Sequence, residues 1–154
     1  MIIVAGGDSF VWGSELSDHR HGGPDGYSRL TFPALLAADD QYICAAYPGS
    51  NNIAISNDIF FKMIANTELI PQLAVIVCWT WPTRDNAIDS DDSILELQQY
   101  LDIHSMSYLF TCVDNCIITD NSKIAWQNWY LFPPGSEANE TTKADFLRVI
   151  NKEY

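Results

Sequence analysis

Residues 2–10 read Ile2-Ile3-Val4-Ala5-Gly6-Gly7-Asp8-Ser9-Phe10, an apolar run that passes directly into a Gly-Asp-Ser turn. A short, continuous run rich in β-branched residues is typical of a strand that is buried on both faces of a parallel sheet. In open α/β sheets, the turns that follow the strands carry the functional groups, at the carboxyl edge of the sheet. The stretch therefore predicts a first strand that delivers the Ser9 hydroxyl to that edge as a candidate nucleophile.

Three further apolar runs share the strand character of residues 2–5, and helical segments fit between them. The predicted strands are Ile2–Ala5, Tyr42–Ala46, Leu73–Trp79 and Tyr108–Val113. The predicted helices are Ser28–Ala38, Asn52–Asn66, Ser93–His104 with Ser90 or Asp91 as its cap, and Thr141–Asn151. This alternation predicts an α/β fold, in which a parallel sheet of four to five strands carries helices on both faces. No repeat or linker divides the sequence, so residues 1–154 are expected to form a single domain.

The composition indicates one folded domain with an acidic surface. The chain has 154 residues, of which 47% are hydrophobic, and this is enough for a core of ordinary size. Twenty acidic and eight basic side chains give a formal net charge of −12, which disfavours binding to the phosphate backbone of a nucleic acid. No apolar stretch reaches the roughly 18 residues of a membrane span, and the amino terminus lacks the features of a signal peptide. We therefore expect no membrane partner and a cytoplasmic location, or a virion-associated one if the protein assembles into a particle.

The four cysteines, Cys44, Cys78, Cys112 and Cys116, are predicted to be buried free thiols. Three of them fall in or at the ends of apolar runs, and none forms a C-x-x-C pair or has a histidine at zinc-ligand spacing. Free cysteines pack as small hydrophobic side chains. The sequence therefore predicts no disulfide framework, no metal site and no cofactor.

A nucleophilic serine needs a base, and the oxyanion that it forms needs hydrogen-bond donors. The loop after the second predicted strand, Tyr47-Pro48-Gly49-Ser50-Asn51-Asn52, contains a glycine whose N–H can approach a ligand closely and two asparagine side chains. The loop after the third predicted strand adds the Thr80 hydroxyl. Asp8 is expected to accept hydrogen bonds from backbone N–H groups of its own turn. The predicted site therefore consists of Ser9, Asp8, Gly49, Asn51, Asn52 and Thr80.

Three blocks of the sequence resemble the first three blocks of the SGNH/GDSL hydrolase superfamily, most closely those of its phage-associated and bacterial members. The blocks are Gly7-Asp8-Ser9-Phe10-Val11-Trp12-Gly13, Pro48-Gly49-Ser50-Asn51-Asn52 and Val75-Ile76-Val77-Cys78-Trp79-Thr80. The resemblance covers roughly residues 1–85, and its specificity comes from the first two blocks occurring together. It implies a three-layer α/β/α, flavodoxin-like, doubly wound sheet and esterase or acyl-hydrolase activity, often on acetylated glycans. The implied partner is a small ester or an acylated glycan.

Residue by residue, the resemblance implies that Ser9 is the nucleophile and that the backbone N–H groups of Ser9 and Gly49 belong to the oxyanion hole. The third block of the family normally supplies an asparagine to that hole, and this sequence has Thr80 at the nearest matching position. A threonine hydroxyl can donate a hydrogen bond but is shorter, and Asn51 or Asn52 can compensate for it.

The family also has a late Asp-x-x-His block that supplies the base, whereas this sequence has no histidine after His104. His104 itself is expected to be a cation at the C-terminus of a helix. The segment Asp18-His19-Arg20-His21 spells Asp-x-x-His in a loop after the first strand, and this makes His19 or His21 an alternative base. Otherwise the base lies elsewhere, the natural chain extends past Tyr154, or the protein is a ligand-binding or particle-associated protein without hydrolase activity.

The loop after the third predicted strand contains further charged and aromatic side chains. Arg84 and Asp85 are expected to form a surface ion pair, and the alternative is that they position a carboxylate or sugar hydroxyls. Trp79 and Trp81 flank Thr80, and one of their rings is a candidate for stacking on a sugar or lining an acyl pocket. Trp126 is expected to be a core residue.

Overall fold

A four-stranded parallel sheet lies at the centre of the protein, which the computed structural model describes for residues 1–18, 26–85, 87–113 and 121–131. Its strands are β1 (Ile2–Gly6), β2 (Gln41–Cys44), β3 (Leu73–Trp79) and β4 (Ser107–Cys112), and their spatial order is β2-β1-β3-β4. A single parallel bridge between Phe110 and Trp129 extends the sheet beyond β4. The predicted strands are therefore confirmed, with ends displaced by no more than a residue or two.

Helices cover both faces of this sheet. The short helices α1 (Ser9–Trp12) and α2 (Phe32–Ala37) lie on one face, and the longer helices α3 (Asn52–Ile64) and α4 (Ala87–Ile103) lie on the other. The three-layer α/β/α, flavodoxin-like architecture is thus confirmed. From β1 the chain goes outward to β2 and then crosses back over β1 to reach β3, so a crevice opens between the carboxyl ends of β1 and β3. Any site of this fold is expected there.

The position of β1 explains why its sequence is apolar without alternation. Ile2 and Val4 pack into the core beneath α3 and α4, whereas Ile3 and Ala5 pack into the core beneath α1 and α2. All four side chains are buried. A central strand of a parallel sheet meets helices on both faces, and every position along it is therefore apolar.

The helix α2 begins at Phe32, whereas the sequence predicted a start at Ser28. The Ser28 hydroxyl accepts a hydrogen bond from the Leu30 N–H (2.9 Å) and donates one to the Asp18 carboxylate. Such local bonds offer the backbone an alternative to the helix. Pro33 then lies in the first turn of α2, where its missing N–H costs no helical hydrogen bond.

The helix α4 begins at Ala87, well before the predicted start at Ser93. Ser90 and Asp91 therefore lie inside the helix and do not cap it. Asp89 in the first turn interacts favourably with the positive end of the helix dipole. None of the helices in the described ranges is long and apolar enough to cross a membrane. The predicted helix Thr141–Asn151 lies outside the described residues.

Burial should protect the thiols of this fold from alkylation. Cys44, Cys78 and Cys112 are free and buried, and burial raises the pKa of both Cys44 and Cys78. Because the thiolate is the reactive form, we expect iodoacetamide at pH 8 to modify these three residues at least about 10-fold more slowly in the native chain than in guanidinium chloride. Peptide mapping by mass spectrometry measures this, and rapid modification of Cys78 in the native chain would contradict its burial. Cys116 lies outside the described residues.

Candidate active site

The turn after β1 presents Ser9 at the carboxyl edge of the sheet. Asp8 is the N-cap of α1, and its Oδ1 accepts a hydrogen bond from the Phe10 N–H (3.0 Å). Gly7 permits the close return of the chain, because a Cβ at this position would lie 2.4 Å from Val11 Cγ2 and 3.2 Å from the Cys78 carbonyl oxygen. Ser9 is consequently the first residue of a one-turn helix at the β1/β3 crevice.

Two hydrogen-bonding groups of Ser9 have no partner in the part of the chain that the structure describes. Its side chain is half-buried, and its backbone carbonyl accepts from the Gly13 N–H (2.8 Å) within the turn. Within the described residues, neither the Ser9 hydroxyl nor the Ser9 backbone N–H has a hydrogen-bond partner. Both groups are therefore available to a bound ligand.

A buried carboxylate joins the turn after β1 to the turn after β3. Asp8 is fully buried, and its Oδ2 accepts a hydrogen bond from the Thr80 hydroxyl (2.8 Å). The guanidinium Nη1 of Arg84 lies 3.4 Å from the same oxygen. The hydroxyl proton of Thr80 is thus directed at Asp8, and we assign Thr80 a role in holding Asp8 instead of the oxyanion-donor role that the sequence suggested.

The Asn52 side chain is also buried, and its polar atoms are all hydrogen-bonded within the protein. Its Oδ1 accepts from the Thr80 N–H (2.9 Å), and its Nδ2 donates both to the Thr80 carbonyl oxygen and to Ser90 Oγ, each at 3.1 Å. Its backbone N–H donates to Asp85 Oδ2 (2.8 Å), and the side chain is fully buried. Asn52 therefore joins the start of α3 to the turn after β3, and its amide hydrogens are not available to an oxyanion.

Asn51 and Gly49 have donors that remain available in the turn after β2. Asn51 is the N-cap of α3, where its Oδ1 accepts from the Ala54 N–H (2.8 Å), and its side-chain NH2 group has no partner among the residues described. Gly49 is exposed and adopts a left-handed conformation (φ +82°), and a Cβ at this position would meet no atom within 4 Å. Its N–H is also unpaired within the described ranges. This turn lies against the turn after β1, because the Tyr47 N–H donates to the Gly7 carbonyl oxygen (3.2 Å).

No histidine of the described residues lies at this edge. His104 follows α4 and precedes β4, so it belongs to the opposite, amino edge of the sheet. It is exposed there, and its ring lies 4.4 Å from the ring of Tyr100. The two other candidate bases, His19 and His21, lie outside the described residues.

Aromatic side chains from the same turns contact one another around α1. Phe10 meets Trp81 edge to face with ring centroids 6.2 Å apart, and Trp12 stacks on Tyr47 at 5.3 Å. Phe10 is 56% exposed and Tyr47 is 45% exposed, so both present apolar area to solvent, Phe10 directly after Ser9 and Tyr47 against Trp12 of α1. Trp79, by contrast, is fully buried against Phe110 and does not face the site. Trp81, for which a core role was the first expectation and ligand contact the alternative, is half-buried. Of the two tryptophans that flank Thr80, only Trp81 therefore remains a candidate for contact with a ligand.

The Cys78 thiol, near the end of β3 and two residues before Thr80, is not an alternative nucleophile. Burial raises the pKa of Cys78 well above its ordinary value, with smaller contributions from the Asp8 carboxylate and the Cys112 thiol. The Cys78 thiol therefore stays protonated and unreactive. Among the residues that the structure describes, no cluster of three or more His, Cys, Asp or Glu side chains could hold a metal ion.

Comparison with known proteins adds no assignment. The chain matches no model of a known protein family, and a search of the curated proteins also finds no match.

Sequence reasoning missed the partners of Arg84 and Asp85. The predicted ion pair between these two residues is wrong. Arg84 contacts Asp8 and donates to the Ser50 carbonyl oxygen. Asp85 accepts a hydrogen bond from the Asn52 backbone N–H. The missed signal is that Asp8 and Arg84 have opposite charges and follow strands that pair with each other. A carboxylate as deeply buried as Asp8 needs such a partner.

Proposed function

We propose that this chain is a serine ester hydrolase of the SGNH type that uses Ser9 as its nucleophile. The observation that carries the proposal is that two neighbouring turns, joined by the hydrogen bond from the Tyr47 N–H to the Gly7 carbonyl oxygen, present groups that have no partner among the described residues. These groups are the Ser9 hydroxyl, the backbone N–H groups of Ser9 and Gly49 and the Asn51 side-chain amide. Donors that are already oriented and unpaired stabilise a developing oxyanion without any cost of reorganisation.

The reaction proceeds through an acyl-enzyme. Ser9 Oγ attacks the carbonyl carbon of the ester, and a base takes the hydroxyl proton. The carbonyl oxygen becomes an oxyanion and accepts hydrogen bonds from the N–H groups of Ser9 and Gly49 and from Asn51 Nδ2. The tetrahedral intermediate then releases the alcohol, which takes up the proton, and leaves the acyl group on Ser9. Water attacks this acyl-enzyme, and the carboxylic acid leaves.

Asp8, Thr80 and Asn52 act as positioning residues in this scheme. Asp8 caps the helix that presents Ser9, and Thr80 fixes the orientation of the Asp8 carboxylate. Asn52 in turn fixes the backbone of Thr80 from both sides. All three side chains are buried, so they act on Ser9 through the turn and not through contact with the substrate.

We assign the base to His19 or His21. Asp18, which precedes them, accepts hydrogen bonds from the Ser28 hydroxyl and from the Arg29 N–H (2.7 Å). The Ser28 N–H donates to the carbonyl oxygen of Trp12 in α1 (2.9 Å). These bonds hold the residue before His19 close to the helix that carries Ser9, which supports a base from this loop.

The substrate is a small ester or an acylated glycan, and the chemistry requires no cofactor. The exposed rings of Phe10 and Tyr47 suit the apolar face of such a substrate. The location that accords with this function is the cytoplasm, or a virion if the chain assembles into one.

Active-site labelling tests the proposal. A fluorophosphonate probe should modify the native chain at one site, which peptide mapping should identify as Ser9, and the chain should hydrolyse p-nitrophenyl acetate above the rate in buffer. Heat-denatured protein is the control, because an activated serine requires the folded site. A native chain that neither reacts with the probe nor hydrolyses the ester would rule out the proposed activity for these 154 residues.

A binding protein without turnover is the second candidate, and the position of His104 at the opposite edge of the sheet favours it. Such a protein keeps the crevice but lacks the base. It should bind acylated glycans with equal affinity before and after Ser9→Ala, as calorimetry can measure. An acyl adduct on Ser9 would argue against this candidate.

A further inference from the structure

The turn that carries Gly49 is attached to its surroundings by the Tyr47 ring, which stacks on Trp12, and by few hydrogen bonds. Tyr47, Pro48 and Gly49 are exposed, and the Ser50 N–H donates to the Tyr47 carbonyl oxygen (3.2 Å) within the turn. Two hydrogen bonds tie residues 47–50 to other parts of the described chain. One runs from the Tyr47 N–H to the Gly7 carbonyl oxygen (3.2 Å), and the other runs from Arg84 Nη1 to the Ser50 carbonyl oxygen (2.9 Å).

Arg84 connects this turn to the buried carboxylate of Asp8. The nitrogen that donates to Ser50 also lies 3.4 Å from Asp8 Oδ2. Asp8 is fully buried, and the Phe10 N–H and the Thr80 hydroxyl hold it as well. One guanidinium nitrogen thus bridges the carbonyl oxygen that follows Gly49 and the carboxylate that precedes Ser9.

The Arg84 side chain is itself held in place. Its guanidinium lies over the Trp81 ring, 5.3 Å from the centroid, and its backbone N–H donates to the Trp81 carbonyl oxygen (3.0 Å). The side chain is 31% exposed. A planar guanidinium can stack on a ring and still donate to two oxygens in its plane, which a lysine ammonium cannot do with the same geometry.

We infer that Arg84 is a positioning residue that holds the Gly49 turn against the Ser9 turn, so that the donors of the two turns face one oxyanion. This inference rests on the proposed function, because it gives the bridge a role in the reaction of Ser9. Gly49 has no Cβ to restrict its backbone, and no atom lies within 4 Å of the place where a Cβ would be. The contacts of Arg84 with Ser50 and Asp8 restrict the motion of the Gly49 N–H in place of a side chain.

The consequence is a specific kinetic signature for loss of the bridge. A donor displaced by about 1 Å from the oxyanion costs on the order of 10²-fold in rate. Arg84 does not need to touch a bound ester for this effect, so the loss should fall on kcat while KM changes little. Arg84→Lys keeps the charge but not the planar group that stacks on Trp81, donates to the Ser50 carbonyl oxygen and pairs with Asp8, and it should therefore resemble Arg84→Ala.

The test compares wild type, Arg84→Lys, Arg84→Ala and the control Lys62→Ala in the full chain. Lys62 is also a cation, but it lies near the end of α3, away from the crevice. Hydrogen exchange of the peptide that covers residues 47–51 reports the turn directly. We expect the exchange of its Tyr47 and Ser50 amides to be about 10-fold faster in both Arg84 variants, with the β1 and β3 peptides unchanged. We also expect kcat for p-nitrophenyl acetate and the rate of fluorophosphonate labelling to fall by about 10- to 100-fold.

The outcomes separate the bridge from the activity. Unchanged exchange of residues 47–51 in both Arg84 variants would overturn the inference, as would faster exchange with an unchanged labelling rate. Partial recovery of the Arg84→Ala labelling rate by added guanidinium ion would support it, because a merely unstable variant would not recover. A wild-type chain that neither labels nor turns over the ester would defeat the proposed function, and the exchange comparison would still decide whether Arg84 holds the turn. If Arg84→Ala does not fold, Arg84→Lys carries the same comparison.

Discussion

Replacement of Ser9 by alanine is expected to lower kcat/KM for p-nitrophenyl acetate by about 10³-fold or more and to abolish fluorophosphonate labelling. The Ser9 hydroxyl is the attacking group of the proposed mechanism, and the remaining N–H donors can stabilise only an oxyanion that another nucleophile forms. The fold should be unaffected, because within the described residues the hydroxyl makes no hydrogen bond that alanine would remove. Urea unfolding should show a free energy of unfolding within about 0.5 kcal/mol of wild type.

Ser107→Ala provides the matched control for this experiment. Ser107 is an exposed serine at the start of β4, on the edge of the sheet opposite to Ser9. Its replacement should leave both labelling and turnover at wild-type levels. Equal labelling of wild type and Ser9→Ala would instead show that the probe reacts at another residue, and Ser9 would no longer be the nucleophile.

The central sheet could be predicted from the sequence because burial on both faces leaves a simple pattern. Runs such as Ile2–Ala5 and Leu73–Trp79 are apolar at every position. Short continuous apolar runs of this kind, repeated along a chain, are typical of the strands of a parallel sheet. The starts of α2 and α4 could not be predicted in the same way. The start of α2 depends on the hydrogen bond from the Leu30 N–H to the Ser28 hydroxyl, which competes with the helix and leaves no periodic pattern. The start of α4 at Ala87 lies in an acidic stretch without a regular apolar spacing.

In the candidate site, too, one part could be predicted from the sequence and another part could not. The meeting of the Asp8, Asn52 and Thr80 loops follows from the order of the strands, and the sequence predicted it for that reason. The direction of each side chain does not follow from strand order. The Thr80 hydroxyl turns to Asp8, and Arg84 reaches past its neighbour Asp85 to the same carboxylate. The direction of each side chain depends on which buried polar group nearby needs a partner. The order of residues along the sequence does not contain that information.

The adjacent residues Asn51 and Asn52 illustrate this limit most clearly. They have the same side chain, and sequence reasoning gave both the role of a possible oxyanion donor. In the structure, Asn51 lies just before the first residue of α3 and caps it, whereas Asn52 lies inside the helix with its side chain directed at Thr80. Two neighbouring positions at a helix boundary thus differ: Asn51 is half-buried and its side-chain amide has no partner among the described residues, whereas Asn52 is fully buried and bonded.

Asn52→Asp is therefore expected to lower the free energy of unfolding by about 3 kcal/mol or more. The substitution preserves shape, but it places a carboxylate oxygen against the Thr80 carbonyl oxygen and the Ser90 hydroxyl, where Nδ2 now donates. It also adds a negative charge near Asp85, which accepts from the backbone N–H of the same residue. The loss of unfolding free energy in Asn52→Asp should be smaller at acidic pH, because the new carboxyl group, once protonated, can donate one hydrogen bond and has no charge to bury.

Asn51→Asp should show the opposite combination of effects. Aspartate caps a helix as well as asparagine does and interacts favourably with the helix dipole, so urea unfolding should differ from wild type by no more than about 0.5 kcal/mol. The substitution nevertheless removes the free amide donor and places a negative charge beside the oxyanion, so kcat should fall by about 10²-fold. Equal losses of stability in Asn51→Asp and Asn52→Asp would contradict the arrangement of the two side chains. A stable Asn51→Asp variant with wild-type kcat would remove Asn51 from the oxyanion hole and leave the two backbone N–H groups as its donors.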